Sequence, residues 1–369
     1  MEKIVFAGSF DPLTNGHLWV IQEGLNIAKE VIVFVAENNA KKTMFSAQER
    51  LEMIQKTCSA LPNGNRISVM IINNEYTARK AIQIGATHLI RGIRSSGDFD
   101  YESLIQKTNT DVIHGAKTLF VMPPRELESV SSSFVKSLVG PIGWHFHIKS
   151  FLPPLVYENF LKKFIEKTFL EHFKPHLTQD YQASTKFLDL VFSNYSDSHR
   201  HYHNLEHITH CLQEMLWLKN NFDLSIDYTQ LTVAILAHDI IYGQHSKEFT
   251  DEQLSSQLLL DIFGNNFLLA SSLVLSTQHF ITDSSSLSEE AKIMRSIDLA
   301  ILGQDKIMYN SYVENIKKEY CHIPQDVFNS SRLKALKSLN EKTLFESPYF
   351  SHYEKIAHCN LNDEIYSLS

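Results

Sequence analysis

Short apolar runs alternate with amphipathic stretches along the first 150 residues. "KIVFAG", "VIVFVAEN", "RISVMIIN", "THLIRGI" and "KTLFVMP" are brief and rich in branched aliphatic residues, and they predict buried strands. Between them, "HLWVIQEGLNIAKE", "SAQERLEMIQKTCSAL", "TARKAIQIG", "DYESLIQKTNTDVIHG" and "SSSFVKSLVG" place apolar residues at helical spacing. Ser46 and Glu49 have the spacing of a capping box. Strands alternating with helices imply βαβ units and a parallel sheet, with ligands at the carboxyl ends of the strands.

After "FLPP", Phe151 to Pro154, the pattern changes. From "VYENFLKKFIEKTFLEHF" onward, long amphipathic segments follow one another with few strand signals. "NLEHITHCLQEMLWLKNN", "YTQLTVAILAHDIIYG", "TDEQLSSQLLLDIFG", "NFLLASSLVLSTQHF" and "EEAKIMRSIDLAILG" all predict helices. Two domains are expected: an α/β domain over 1–165 and an all-α domain over 166–369, meeting within a helical stretch. There is no internal repeat and no extended low-complexity segment.

Composition sharpens this division. Residues 1–160 carry 16 Lys and Arg against 15 Asp and Glu, while the rest carries 18 against 27. Thirteen of the 18 histidines lie in the second part. Neither part has the basic excess of a nucleic-acid binder. The acidic, histidine-rich part suits cations, although a solvated acidic surface has the same composition. No apolar run is expected to span a bilayer, and the start lacks a basic segment leading into a signal-peptide stretch. These features lead us to expect a cytoplasmic protein without membrane contact. Cys58, Cys211, Cys321 and Cys359 form no CxxC pair, so free thiols are expected.

The stretch "GSFDPLTNGH", Gly8 to His17, follows the first predicted strand and precedes the first predicted helix. A glycine there lets backbone N–H groups approach a ligand, and a helix start directs its dipole at the same place. The stretch reads equally as a phosphate cradle or a surface turn. It carries neither GxGxxG nor GxxxxGK[ST]. It resembles the T/HxGH signature of nucleotidyltransferases. With "KKTMFSAQER", "LIRGIRSSGDFDYE" and "SVSSSFVK" in order, the first 160 residues are similar to phosphopantetheine adenylyltransferases.

The resemblance implies a Rossmann-like fold and transfer of the adenylyl group of ATP to 4′-phosphopantetheine, with Mg²⁺. It gives catalytic roles to His17, Lys41 and Arg94. ATP would meet Ser9, Phe10, His17, Gly92, Ile93, Arg94, Glu102 and the helix start Ser131, Ser132 and Ser133. The second substrate would meet Ser9, Lys41, Thr77 and Arg91, and Lys42 adjoins Lys41. The family tends to form homo-oligomers. Three features depart from the family pattern: Ala7 replaces a usual proline, Thr77 stands at a typically apolar position, and Glu126 and Glu128 lie where neutral residues are commoner. A transferase acting on another phosphorylated alcohol is the alternative.

The second part offers "RHYHNLEHITH", in which His203 and His207 are four apart and would share a helical face. "LAHDIIYG" places His238 and Asp239 after an apolar run, and "RSIDLAILG" places Asp298 in a similar setting. Buried charge needs a partner, which a cation could supply. The order His, His-Asp, Asp resembles the HD superfamily of metal-dependent phosphohydrolases. The resemblance implies metal ligands His207, His238, Asp239 and Asp298, a divalent ion such as Mn²⁺, Fe²⁺ or Co²⁺, and His203 as proton donor. Glu252 and His279 are expected nearby, and Asp251 replaces an expected asparagine. The phosphoester substrate is open, and a silent nucleotide-sensing domain is the alternative.

Overall fold

A computed structural model of the chain describes residues 1–37, 42–73, 75–174, 177–243, 248–279 and 287–369. These divide into two compact units: Met1–Val139 with His147–Phe160, and Gly140–Phe146 with Leu161–Ser369.

In the first unit, β1 (Lys3–Gly8), α1 (Asn15–Ile27), β2 (Glu30–Glu37), α2 (Ala47–Ser59), β3 (Ile67–Asn73), α3 (Thr77–Gln83), β4 (His88–Gly92), α4 (Ser96–Lys107), β5 (Lys117–Val121) and α5 (Ser132–Ser137) follow one another. All five strands are parallel, in the order β3-β2-β1-β4-β5. Ile4 pairs with Val31 and Val5 with Ile32. Val5, Ala7, Ile32, Phe34 and Leu89 form one buried face, packed by Ala78 and Ala81 of α3. On the other face α1 comes close: a Cβ on Gly24 would lie 3.0 Å from Val31 Cγ2. With both faces covered, the strands read as continuous apolar runs rather than alternating ones. Ser46 caps α2 in the expected box with Glu49.

The second unit is helical. After α6 (Trp144–Ile148) and α7 (Pro154–Phe173), along which the division between the units falls, come α8 (Leu177–Tyr195), α9 (Leu205–Asn221), α10 (Tyr228–Ala237), α11 (Asp251–Phe263), α12 (Leu268–Ser276), α13 (Glu289–Leu299), α14 (Lys306–Glu319), α15 (Gln325–Asn340) and α16 (Glu354–Leu368). Gln230 to Ala237 of α10 are all buried, which explains why that segment is apolar all round. Phe169, Phe173, Phe187, Phe263 and Phe267 pack together, with Phe173 and Phe263 ring centroids 5.5 Å apart.

Asp251–Ser276 is, among the described residues, long and apolar enough by composition to cross a bilayer. The chain turns within it at Gly264, where φ is +67°. The resulting helices have 13 and 9 residues, each shorter than the ~20 a span requires.

Candidate functional site

The strand order changes direction at β1 and β4, so the loops leaving these strands open on the crevice where such sheets bind ligands. Buried charge shapes the β1 loop. Asp11 is 3% exposed; its carboxylate accepts hydrogen bonds from the N–H groups of Met44 (3.0 Å) and Phe45 (2.9 Å), and Lys136 Nζ lies 2.8 Å away. Arg50 is 2% exposed. It donates to the carbonyls of Phe45 and Ser46 through Nε, and to those of Ser9 and Ala36 through Nη1. One acid and one base thus fasten the β1 loop, the start of α2 and α5 together.

Sequence reasoning missed these two residues. Arg50 had a signal: it stands at helical spacing from Ala47, Met53 and Ile54, which are all buried. An arginine on an apolar face needs acceptors. Asp11 lay in the quoted loop without being singled out.

Thr14 caps α1. Its Oγ1 accepts from the N–H of His17, and its own N–H donates to His17 Nδ1 (3.1 Å). Because Nδ1 accepts, the neutral ring carries its proton on Nε2. Burial, with a smaller contribution from the charge of Arg94, lowers the imidazole to about 4. His17 is therefore neutral at pH 7 and still able to donate. Its ring meets the buried Phe10 edge-on at 5.2 Å, and Phe10 takes a φ of +49°.

From β4, Arg91 Nη1 donates to the Ala7 carbonyl (2.5 Å), and its Nε lies 3.5 Å from Glu102. Ile93 is buried and donates its N–H to the Val121 carbonyl. A Cβ on Gly92 would come 3.1 Å from Val20. Arg94 Nε pairs with Asp98 at 3.0 Å. Ser131 caps α5, and Ser132 Oγ donates to the Pro12 carbonyl (2.7 Å). His17, Phe10 and Ser132 are thus gathered about the β1 loop, and the charge of Arg94 is felt at His17. Thr77 opens α3, and Ser133 is exposed on α5. Lys41 lies outside the described residues; Lys42, Glu126 and Glu128 are exposed.

The helical unit holds a second cluster. His207 lies in the first turn of α9, His238 and Asp239 follow α10, and Asp298 is in the last turn of α13. His207 Nε2 lies 3.1 Å from His238 Nε2, 3.6 Å from Asp239 Oδ2 and 3.3 Å from Asp298 Oδ1. His238 Nε2 lies 3.2 Å and 3.5 Å from the same two carboxylates. Ligand atoms about 2.1 Å from one ion sit about 3.0 Å apart at right angles and about 3.4 Å apart at the tetrahedral angle. The donor set therefore fits a divalent cation. His238 Nδ1 bonds the Ile235 carbonyl (2.8 Å), which turns the Nε2 lone pair to the cluster. Helices α10 and α13 present their C-terminal ends, which favour positive charge. Burial opposes ionisation of Asp298, but His207 and His238 outweigh it and hold the carboxyl well below its usual range.

His203 departs from the helical-face argument. It precedes the Asn204 cap of α9 and is not on the helix. Its ring nevertheless lies 5.8 Å from that of His207 and stacks on Tyr242 at 4.1 Å. Glu319 holds it there. One carboxylate oxygen lies 2.5 Å from His203 Nδ1, and the other accepts from the N–H groups of His201, Tyr202 and His203. Burial would raise the Glu319 carboxyl, but these bonds overcome it and lower it to about 2. Sequence reasoning did not single out Glu319, which stands between Lys318 and Tyr320 with no local pattern marking it. His279 Nε2 donates to Asp298 (2.8 Å), and Asp251 accepts from the Gly243 N–H (2.6 Å). Asp251 and Glu252 both face the adjoining cavity. His210 lies 3.6 Å from buried Glu214, away from the four ligand atoms.

A family model described as cytidylyltransferase-like matches residues 5–138. Phosphopantetheine adenylyltransferase of Chromobacterium violaceum is 39% identical over 167 residues, covering 45% of this chain and all of that protein. The protein of that name from Neisseria meningitidis is 38% identical over 160 residues, covering 43% and 92%. The one from Geobacter metallireducens is 40% identical over 163 residues, covering 43% and 94%. Through its N-terminal nucleotidyltransferase unit, this chain belongs to the phosphopantetheine adenylyltransferase family.

Proposed function

We propose that the first unit joins ATP to 4′-phosphopantetheine, giving dephospho-CoA and pyrophosphate. The observation that carries this is His17, proton on Nε2, at the N-terminus of α1 within electrostatic reach of Arg94. The phosphate oxygen of phosphopantetheine attacks the α-phosphorus, and the bond to the pyrophosphate oxygen breaks. His17 Nε2–H and the first amides of α1 donate to the phosphoryl oxygens that gain charge. Arg94 and Lys41 supply positive charge, and Arg91 holds the second substrate. Ser9, Phe10, Gly92, Ile93 and Glu102 shape the ATP side with Ser131, Ser132 and Ser133, while Thr77 lies toward the pantetheine arm. Mg²⁺ enters as part of the substrate, carried by the ATP phosphates. Purified protein should release pyrophosphate only when both substrates are present. His17→Ala should lower kcat by roughly 10²–10³, as loss of an oxyanion donor does; retention of the full rate would overturn the role.

For the helical unit we propose an HD-type phosphohydrolase, on the convergence of His207, His238, Asp239 and Asp298. A divalent ion bound there would lower the pKa of water and polarise a phosphoryl oxygen. His203, oriented by Glu319, donates a proton to the departing oxygen. Asp239→Ala should abolish both metal uptake and phosphoester hydrolysis. Metal uptake with no hydrolysis would favour the sensing alternative.

A further inference from the structure

A cavity of about 530 Å³ opens beside the four converging ligand atoms, a size that encloses drug-sized molecules. Its two ends differ in chemistry. One end is formed by Asp239, Asp298, His203 and His279. The other is formed by Ile316, Ile323, Phe328, Ala335 and Leu339, from α14, α15 and the turn between them. Tyr202 and Tyr242 line the cavity beside His203, with ring centroids 4.8 and 4.1 Å from the imidazole, and Tyr312 packs on Tyr202. Arg332 also reaches the cavity, but it donates to both oxygens of Glu364 (2.9 and 3.2 Å) and to the Tyr312 hydroxyl (3.0 Å), so its charge is matched. Asp251 and Glu252 add negative charge to the wall.

We propose that the helical unit takes a monophosphate ester of an apolar alcohol. The phosphoryl group sits at the carboxylate–histidine end, and the apolar group lies against the α14–α15 wall. This rests on the phosphohydrolase reading above. A second phosphoryl group would fall among aliphatic side chains, where its charge loses hydration, or against Asp251 and Glu252, which repel it. An aromatic or apolar group on the same ester instead takes the far wall out of water. In the reaction a water oxygen bonds to phosphorus as the ester P–O bond breaks. The alcohol oxygen takes a proton from His203, and the proton of the water passes to solvent.

The test uses the full chain loaded with Mn²⁺ and three substrates: 1-naphthyl phosphate, glycerol 3-phosphate and pyrophosphate. Binding of 1-naphthylmethylphosphonate and of methylphosphonate is measured alongside by calorimetry. We expect kcat/KM for the naphthyl ester to exceed both others by about tenfold or more, and the naphthyl phosphonate to bind about tenfold tighter than the methyl one. Ala335→Trp should shrink both preferences. Hydrolysis of all three substrates at similar kcat/KM, with equal phosphonate binding, would overturn the proposal while leaving the hydrolase reading intact. Preferred binding of the naphthyl phosphonate without any hydrolysis would support the cavity assignment and overturn the hydrolase reading. Neither hydrolysis nor preferred binding would overturn both.

Discussion

A histidine whose Nδ1 accepts from the backbone can donate only through Nε2, and His17 is built that way. Its lowered pKa also ties stability to pH. The ordinary histidine value is 6.5, and the folded value is about 4. Between these values the unfolded chain binds more protons, so the contribution is present above pH 6.5 and is lost as pH falls toward 4. The loss amounts to on the order of 3 kcal/mol at most. Denaturation midpoints measured from pH 7 to pH 4 should therefore fall less steeply for His17→Gln than for the parent. Arg50→Ala should cost about 2–4 kcal/mol, because several carbonyl acceptors lose a charged donor. Chemical denaturation followed by a probe in the first unit measures it. At this scale the sequence displays chemistry but not partnership. The His203 side chain was legible, whereas Glu319 stands 116 positions away with no local pattern linking them.

The legible elements were those whose burial imposed a clean period. β1 and β2 lie inside the sheet, buried along most of their length, and so appear as unbroken apolar runs. Helix α10 was legible because it is buried all round. Helix α15 was not: Phe328 and Leu336 are its buried residues, too few to mark a face among polar neighbours. Helix α6, with five residues, is too short to show a period. His203 was placed on a helix because spacing alone cannot locate a cap, and Asn204 caps α9 one residue later. Within the helical unit, Phe173 is 1% exposed and packs against the ring of Phe169 on its own helix and against those of Phe263 and Phe267. Phe173→Ala should lower the stability of that unit by about 3–5 kcal/mol. A reduced urea midpoint of its unfolding transition checks this.

Two compact units with separate candidate chemistries should respond separately to their ligands. Stripping divalent ions by dialysis against chelator should lower the unfolding midpoint of the helical unit. The effect is about 2.7 kcal/mol when the ion was present at a hundred times its Kd. Adenylyl transfer, assayed with Mg²⁺ restored, should keep its rate. Unchanged melting after verified metal loss would count against a resident ion. The division into an α/β and a helical part was readable from the change in apolar period after Pro154, whereas the cavity beside His203 was not, because its walls come from distant segments. The fastening of the β1 loop by Asp11 and Arg50 has a consequence for ionic strength. Those two charges are shut away from mobile ions, while Arg94 has a side chain 36% exposed and is open to screening over about 3 Å at 1 M salt. Concentrated salt should therefore weaken capture of the anionic substrates and raise KM, while leaving the turnover of bound substrate almost unaltered.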